Sequence, residues 1–207
     1  DSYFDFIKFL KDKGVIFSVF DHTIDEINGI IEDCVNWIHN PKYKPSLASP
    51  VLRHFIENNF DKESVRLFIS KIESFIAFNE IMIEPTPGPN ELIEFQINES
   101  RLFEIIKEVY SSSNNYYEDP SKDDVIYKDV KSISAIYKLR KGKKPNYLKG
   151  SIALFITTNA SLAKANHLYS VESCANNYCI KECMTDVFLG TVIWSDNPVK
   201  FNEFNER

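Results

Sequence analysis

The chain has 207 residues, enough for one large domain with a substantial core. Hydrophobic residues make up 43% and charged residues 26%, and the net charge of -6 excludes a surface that is basic throughout. A nucleic-acid site must then be a local patch; no run reaches the ~18 apolar residues of a membrane span and no signal-peptide pattern opens the chain, so a cytoplasmic protein is expected.

Phe4, Phe6, Ile7, Phe9 and Leu10 recur with near-helical spacing up to Lys13-Gly14, where the glycine is a helix stop. Val15–Phe20 (VIFSVF) is short, apolar and rich in β-formers, which predicts a buried strand. Thr23-Ile24-Asp25-Glu26 has capping-box spacing and predicts a helix start. Its apolar stripe is Ile27, Ile30, Ile31, Cys34, Val35 and Ile38. Asn40–Pro50 carries three prolines and reads as a loop. Val51–Phe78 is largely helical by pattern, with a break at Asp61–Ser64 and one second helix expected over Ser64–Phe78. Glu80–Glu84 reads as a short strand, and Pro85, Pro87 and Pro89 then interrupt the chain.

Glu99–Tyr110 predicts a helix, followed by the polar tract Ser111–Asn115, expected to be mobile. Ser121–Leu139 predicts another helix. Lys141–Gly150 is a basic loop. Ile152–Thr157 predicts a buried strand and Ser161–Leu168 a helix. Tyr178–Cys183 reads as a short strand. Thr185-Asp186 then caps an apolar helix over Val187–Trp194, before Pro198 and a polar tail. Helices alternating with short apolar strands argue for a parallel sheet covered on both faces, a three-layer α/β/α sandwich.

The stretch Ser151–Ala165 (SIALFITTNASLAKA) is the most informative. A strand that stops at Thr157-Thr158-Asn159 and turns into a helix is how open α/β sheets build sites, at the carboxyl ends of parallel strands. Two acids sit at comparable positions: Glu26 after VIFSVF, and Asp129 ahead of an amphipathic run. Glu26 also suffices to complete a capping box with Thr23. Asp129 shares a helical face with Ile133, Ile136, Tyr137 and Arg140, where a carboxylate is costly unless paired or metal-bound. Its other reading is an exposed acid in the first turn of a helix. Asn159 and Asp186 can equally be turn or cap residues. Lys138, Arg140, Lys141, Lys143, Lys144 and Lys149 are the densest basic cluster, suited to a phosphate backbone.

Cys174, Cys179 and Cys183 are spaced C-x4-C-x3-C, with His167 upstream and Cys34 far away. The spacing lacks the paired C-x2-C knuckles of structural zinc sites, so reduced thiols are expected. The histidines show no ligand pairing; His22 reads as a residue that could support metal ligands from behind. P-loop, dinucleotide and nucleophile-elbow motifs are absent from the sequence.

Taken in order, VFDHTIDEINGII (Val19–Ile31), DVKSISAIYKLRKG (Asp129–Gly142), LFITTNASLAKAN (Leu154–Asn166) and MTDVFLGTVIW (Met184–Trp194) resemble a bacterial branch of the PIN-like domains. The resemblance covers almost the whole chain. It implies one α/β/α domain over 1–207 with a helical insertion over 46–78, and acids gathered at the carboxyl ends of the sheet. It implies Mg²⁺ or Mn²⁺ held by Glu26, Asp129, Asn159 and Asp186, the three acids being catalytic. Thr157, Thr158, Arg140, Lys143 and Lys144 would hold RNA. Where many family members carry an acid, this chain has Asn159, which offers an oxygen but no charge. Nothing before Val15 reads as the family's first strand and its aspartate. Both are expected upstream of residue 1, in a longer polypeptide with further domains.

Two functions follow as expectations. One is a metal-dependent ribonuclease cutting phosphodiesters. The other is a degenerate PIN-like module that binds RNA or a protein partner without catalysis, with Val51–Phe78 as its interaction surface.

Overall fold

The structure, a computed structural model, describes residues 2–112, 121–173 and 178–196. Cys174, most of the Ser111–Asn115 tract, and Pro198 with the tail lie outside the described residues. The chain divides into two compact units, Asp1–Thr86 and Pro87–Arg207. The architecture is mostly helical α/β, and its strands pair in parallel. Among the described residues they form a two-stranded sheet in each unit, and no single central sheet is seen.

In the first unit, α1 (Ser2–Asp12) stops where expected: Gly14 takes φ +82° and its N–H reaches the Lys11 carbonyl at 2.8 Å. β1 (Ser18–Phe20) pairs with β2 (Met82–Glu84) in the register Ser18↔Met82, Val19↔Ile83, Phe20↔Glu84. Between them run α2 (Asp21–Trp37), α3 (Pro50–Glu57), α4 (Lys62–Ser70) and α5 (Ile72–Phe78). The break at Asp61 forms because its carboxylate accepts the Ser64 N–H at 2.7 Å and caps α4. A second break falls at Lys71. Leu52, Phe55, Val65, Ile72 and Ile76 pack with Ile24, Ile31, Cys34, Val35 and Ile38. The helices of the 46–78 segment therefore supply much of this unit's core.

The helix start expected at Thr23 lies earlier. Asp21 opens α2 directly after the strand and its Oδ1 accepts the His22 N–H at 2.7 Å. Thr23 and Glu26 are thus inside the helix, and the capping box does not form. Asp21 Oδ1 also accepts the Thr86 N–H at 3.1 Å and the Thr86 hydroxyl. The buried His22 ring stacks on Phe20, with Nδ1 2.6 Å from Thr86 Oγ1.

In the second unit, α6 (Glu99–Ser112) and α7 (Ser121–Leu139) precede β3 (Phe155–Thr157), α8 (Ala160–Ser173), β4 (Cys183–Thr185) and α9 (Asp186–Asp196). β3 and β4 pair in the register Phe155↔Cys183, Ile156↔Met184, Thr157↔Thr185. The core gathers Leu102, Ile105, Ile106, Val109, Ile126, Val130, Ile133, Leu162, Ala165 and Tyr169.

Both strands are shorter or later than expected, and one side chain holds the backbone ahead of both. The guanidinium of Arg140 donates to the carbonyls of Ala153 at 2.6 Å, Ile180 at 2.8 Å and Lys181 at 3.0 Å. Regular pairing begins beyond those carbonyls, at Phe155 and Cys183. Ile152, expected to be buried, is exposed, as are Val15 and Ile16 in the first unit. Among the described residues no helix is long and apolar enough to cross a membrane.

Candidate functional site

The parallel register of β3 and β4 puts Thr157 opposite Thr185, so the residues that follow both strands leave one edge of the small sheet. At that edge Asn159 caps α8: its Oδ1 accepts the Leu162 N–H at 3.1 Å, and its own N–H reaches Thr157 Oγ1 at 3.0 Å. Thr185 caps α9, accepting the Phe188 N–H at 3.1 Å, and Asp186 Oδ1 accepts the Val187 N–H at 2.8 Å. Thr158 is exposed and Asp186 half-buried.

Asp129 sits in the third turn of α7, not at a helix start. It shares a face with buried Ile126 and Ile133, so its carboxylate needs a partner. That partner is Tyr110 of α6, whose hydroxyl donates to Asp129 Oδ2 at 2.7 Å. The same hydroxyl accepts from Asn159 Nδ2, also at 2.7 Å. Because Asn159 uses its oxygen on the helix N–H and its nitrogen on Tyr110, both ends of the amide have a partner that fixes its orientation. The structure thus joins Asp129 to Asn159 through Tyr110, which by sequence pattern is only the end of a helix. Its one signal was position: Tyr110 continues the Leu102–Ile106 stripe by four residues, placing a polar tip where that stripe ends.

Burial first, and then the charge and hydrogen bond of Asp129, push the Tyr110 phenol above its ordinary range. Cys183, at the start of β4, is buried and close enough to feel Asp129; burial, then Asp129 and Glu182, push its thiol up to about 12. Such a thiol is a poor nucleophile and a poor metal ligand at neutral pH. Cys34 and Cys179 are likewise buried and unbridged, and His167 is exposed.

Glu26 is half-buried in α2 of the first unit, apart in the chain from the Asp129–Tyr110–Asn159 set of the second. Arg140 is 1% exposed and faces inward, with Glu182 Oε1 at 3.9 Å, so the expectation that it contacts phosphate is corrected. Its charge is held by backbone carbonyls and a buried carboxylate. Lys143 is exposed, and Lys144 lies with its ammonium 5.6 Å from the centre of the Tyr137 ring.

The implied metal can be tested against these donors. Among the described residues there is no group of three or more His, Cys, Asp or Glu side chains able to hold a metal ion. Asp129 and Asp186 each have an oxygen engaged, and the Asn159 oxygen faces a helix N–H. A hard divalent ion takes several anionic oxygens, and this donor set does not fit it. Away from this edge, a groove of about 620 Å³ on α6 and α7 is lined by residues including Phe103, Tyr127 and Lys138. Three of its polar groups are engaged: Ser134 donates to Glu99 at 2.6 Å, and Lys138 to the Gly88 carbonyl at 2.9 Å.

No family model, no curated protein and no solved structure matches the chain.

Proposed function

We propose that this chain is a PIN-like module that binds single-stranded RNA without cutting it. One observation carries the reading: the Tyr110 hydroxyl bonds both Asp129 and Asn159, so the acid position is tied into the fold by a neutral donor. A nuclease edge needs carboxylates open to ions and water. RNA as the partner is supported by Lys141, Lys143 and Lys149, which are exposed in the loop that leads into β3. The three-layer α/β/α class belongs to this proposal, supported by the parallel pairing and by the strand-to-helix turns at Thr157 and Thr185.

A second reading, the Mg²⁺- or Mn²⁺-dependent ribonuclease, draws on Thr157, Thr158, Thr185 and Asp186 sharing the carboxyl edge of two parallel strands. One experiment separates the two. A labelled single-stranded RNA is incubated with the chain in EDTA and in Mn²⁺, and both binding and cleavage are read. Binding in both conditions with intact RNA supports the proposal. Cleavage in Mn²⁺ that Asp129→Asn abolishes establishes the nuclease instead. No binding even at low salt removes both.

A further inference from the structure

We infer that Tyr147 and Tyr178 form a base-stacking platform beside the lysine loop, the part of the molecule that grips single-stranded RNA. The inference deepens the proposed function and rests on it. The first observation is electrostatic. From Val130 to Val171 there are eight lysine and arginine residues and no aspartate or glutamate, in a chain whose net charge is -6. Lys138 and Arg140 are buried and engaged, and the other six are exposed or half-buried, which leaves the segment a local positive patch in an acidic protein.

The second observation is order in the loop. After α7 the chain turns with Lys141 at φ 51° and Gly142 at φ 67°; Lys141 N–H reaches the Lys138 carbonyl at 2.8 Å and Gly142 N–H the Tyr137 carbonyl at 3.2 Å. Gly150 N–H closes a tight turn onto the Tyr147 carbonyl at 3.0 Å. The N–H of Ile180 bonds the Pro145 carbonyl at 2.7 Å, tying the segment that carries Tyr178 to the loop that carries Tyr147. Each tyrosine is two residues from that bond, within roughly 7 Å along the chain. Arg140 holds the carbonyls of Ile180 and Lys181 from inside.

The third observation is exposure. Tyr147 is 78% and Tyr178 88% exposed. A single exposed aromatic needs no explanation. Two of them, on segments joined by the Ile180–Pro145 bond and with lysines nearby in the chain, match the arrangement that binds single strands: rings for bases, ammonium groups for phosphates. Loop order established before binding lowers the entropy cost of association.

The test uses the full chain and a fluorescein-labelled oligouridylate, with anisotropy read at several salt concentrations. Tyr147→Ala and Tyr178→Ala should each weaken binding by about fivefold or more, with the salt slope unchanged. Tyr147→Gln and Tyr178→Gln, which keep bulk without the ring, should do the same, and the Phe variants should bind like the parent. Lys143→Gln and Lys149→Gln should each reduce the salt slope by about 0.7. Parental affinity in all four ring-deleted variants, or equal affinity for duplex RNA or anionic vesicles, overturns the platform while RNA binding stands. A parent chain that binds no RNA overturns the proposed function, and the platform with it.

Discussion

Tyr110 of α6 donates its hydroxyl to Oδ2 of Asp129 on α7 across 2.7 Å. The two residues are 19 positions apart, and the bond ties two core helices together where a carboxylate lies on an otherwise apolar face. Replacing Tyr110 by Phe removes the donor and keeps the ring. A hydrogen bond to a charged group in such a position contributes about 1.5–3 kcal/mol, and Tyr110→Phe should lower stability by that amount in urea unfolding. A loss below about 0.5 kcal/mol, the scatter of ordinary surface changes, would show that the bridge is not stabilising.

Stability should fall in alkali. The Cys183 thiol is held up to about 12 from 9.0, chiefly by burial. The unfolded thiol ionises first, so stability is complete below about pH 9 and declines as pH rises toward 12. Tyr110, also pushed up by burial and Asp129, adds to the loss above its ordinary value of about 10. Denaturant midpoints between pH 8 and 11 should therefore slope downward, and less steeply for Cys183→Ala. Identical slopes would show that Cys183 is not among the linked groups.

Arg140→Met should be among the most damaging single changes in the second unit. It strips donors from three carbonyls and leaves Glu182, 2% exposed, without the guanidinium 3.9 Å away. Removing one partner of a buried pair costs about 3–5 kcal/mol. Adding Glu182→Leu should recover part of it, because no charge is then left buried. Thermal and urea unfolding of the single and double variants measure both; a single variant as stable as the parent contradicts the strand-aligning role.

Asn159→Asp tests the polarity of the network. Aspartate caps a helix as well as asparagine, so α8 should keep its start. The new carboxylate has no proton for Tyr110, whose own proton already goes to Asp129. The variant should be less stable by about 1–3 kcal/mol at pH 7. Two carboxylates around one phenol raise the folded-state pKa of the pair, so protonation favours the fold and the deficit should shrink as pH falls toward 5. A deficit that grows on acidification would refute this account.

Much of the local structure was legible in the sequence because its causes are local. The extent of α7 follows from period 3.6, and the cap at Thr185 follows from a side chain bonding an N–H three residues on, whereas at Asp61 the pattern showed a break and the structure adds the cap. The turn from strand to helix at Thr157–Asn159 was legible for the same reason, as was the cost of a carboxylate on the face of Asp129. The helix start at Asp21 was not, because that carboxylate is fixed by Thr86, 65 residues away. Strand pairing was not legible either. Val19 meets Ile83 and Ile156 meets Met184 because backbone edges meet in space, and short apolar runs carry no address for their partner. Arg140 read as a surface cation because charge is ordinarily solvated; only the packed fold could offer three carbonyls and a buried carboxylate in exchange for water. Asp129 and Asn159 were named from the sequence as chemistry-bearing, but the residue that joins them was not. A phenol's role depends on which groups lie within 3 Å of its oxygen, and that is decided by helix packing alone.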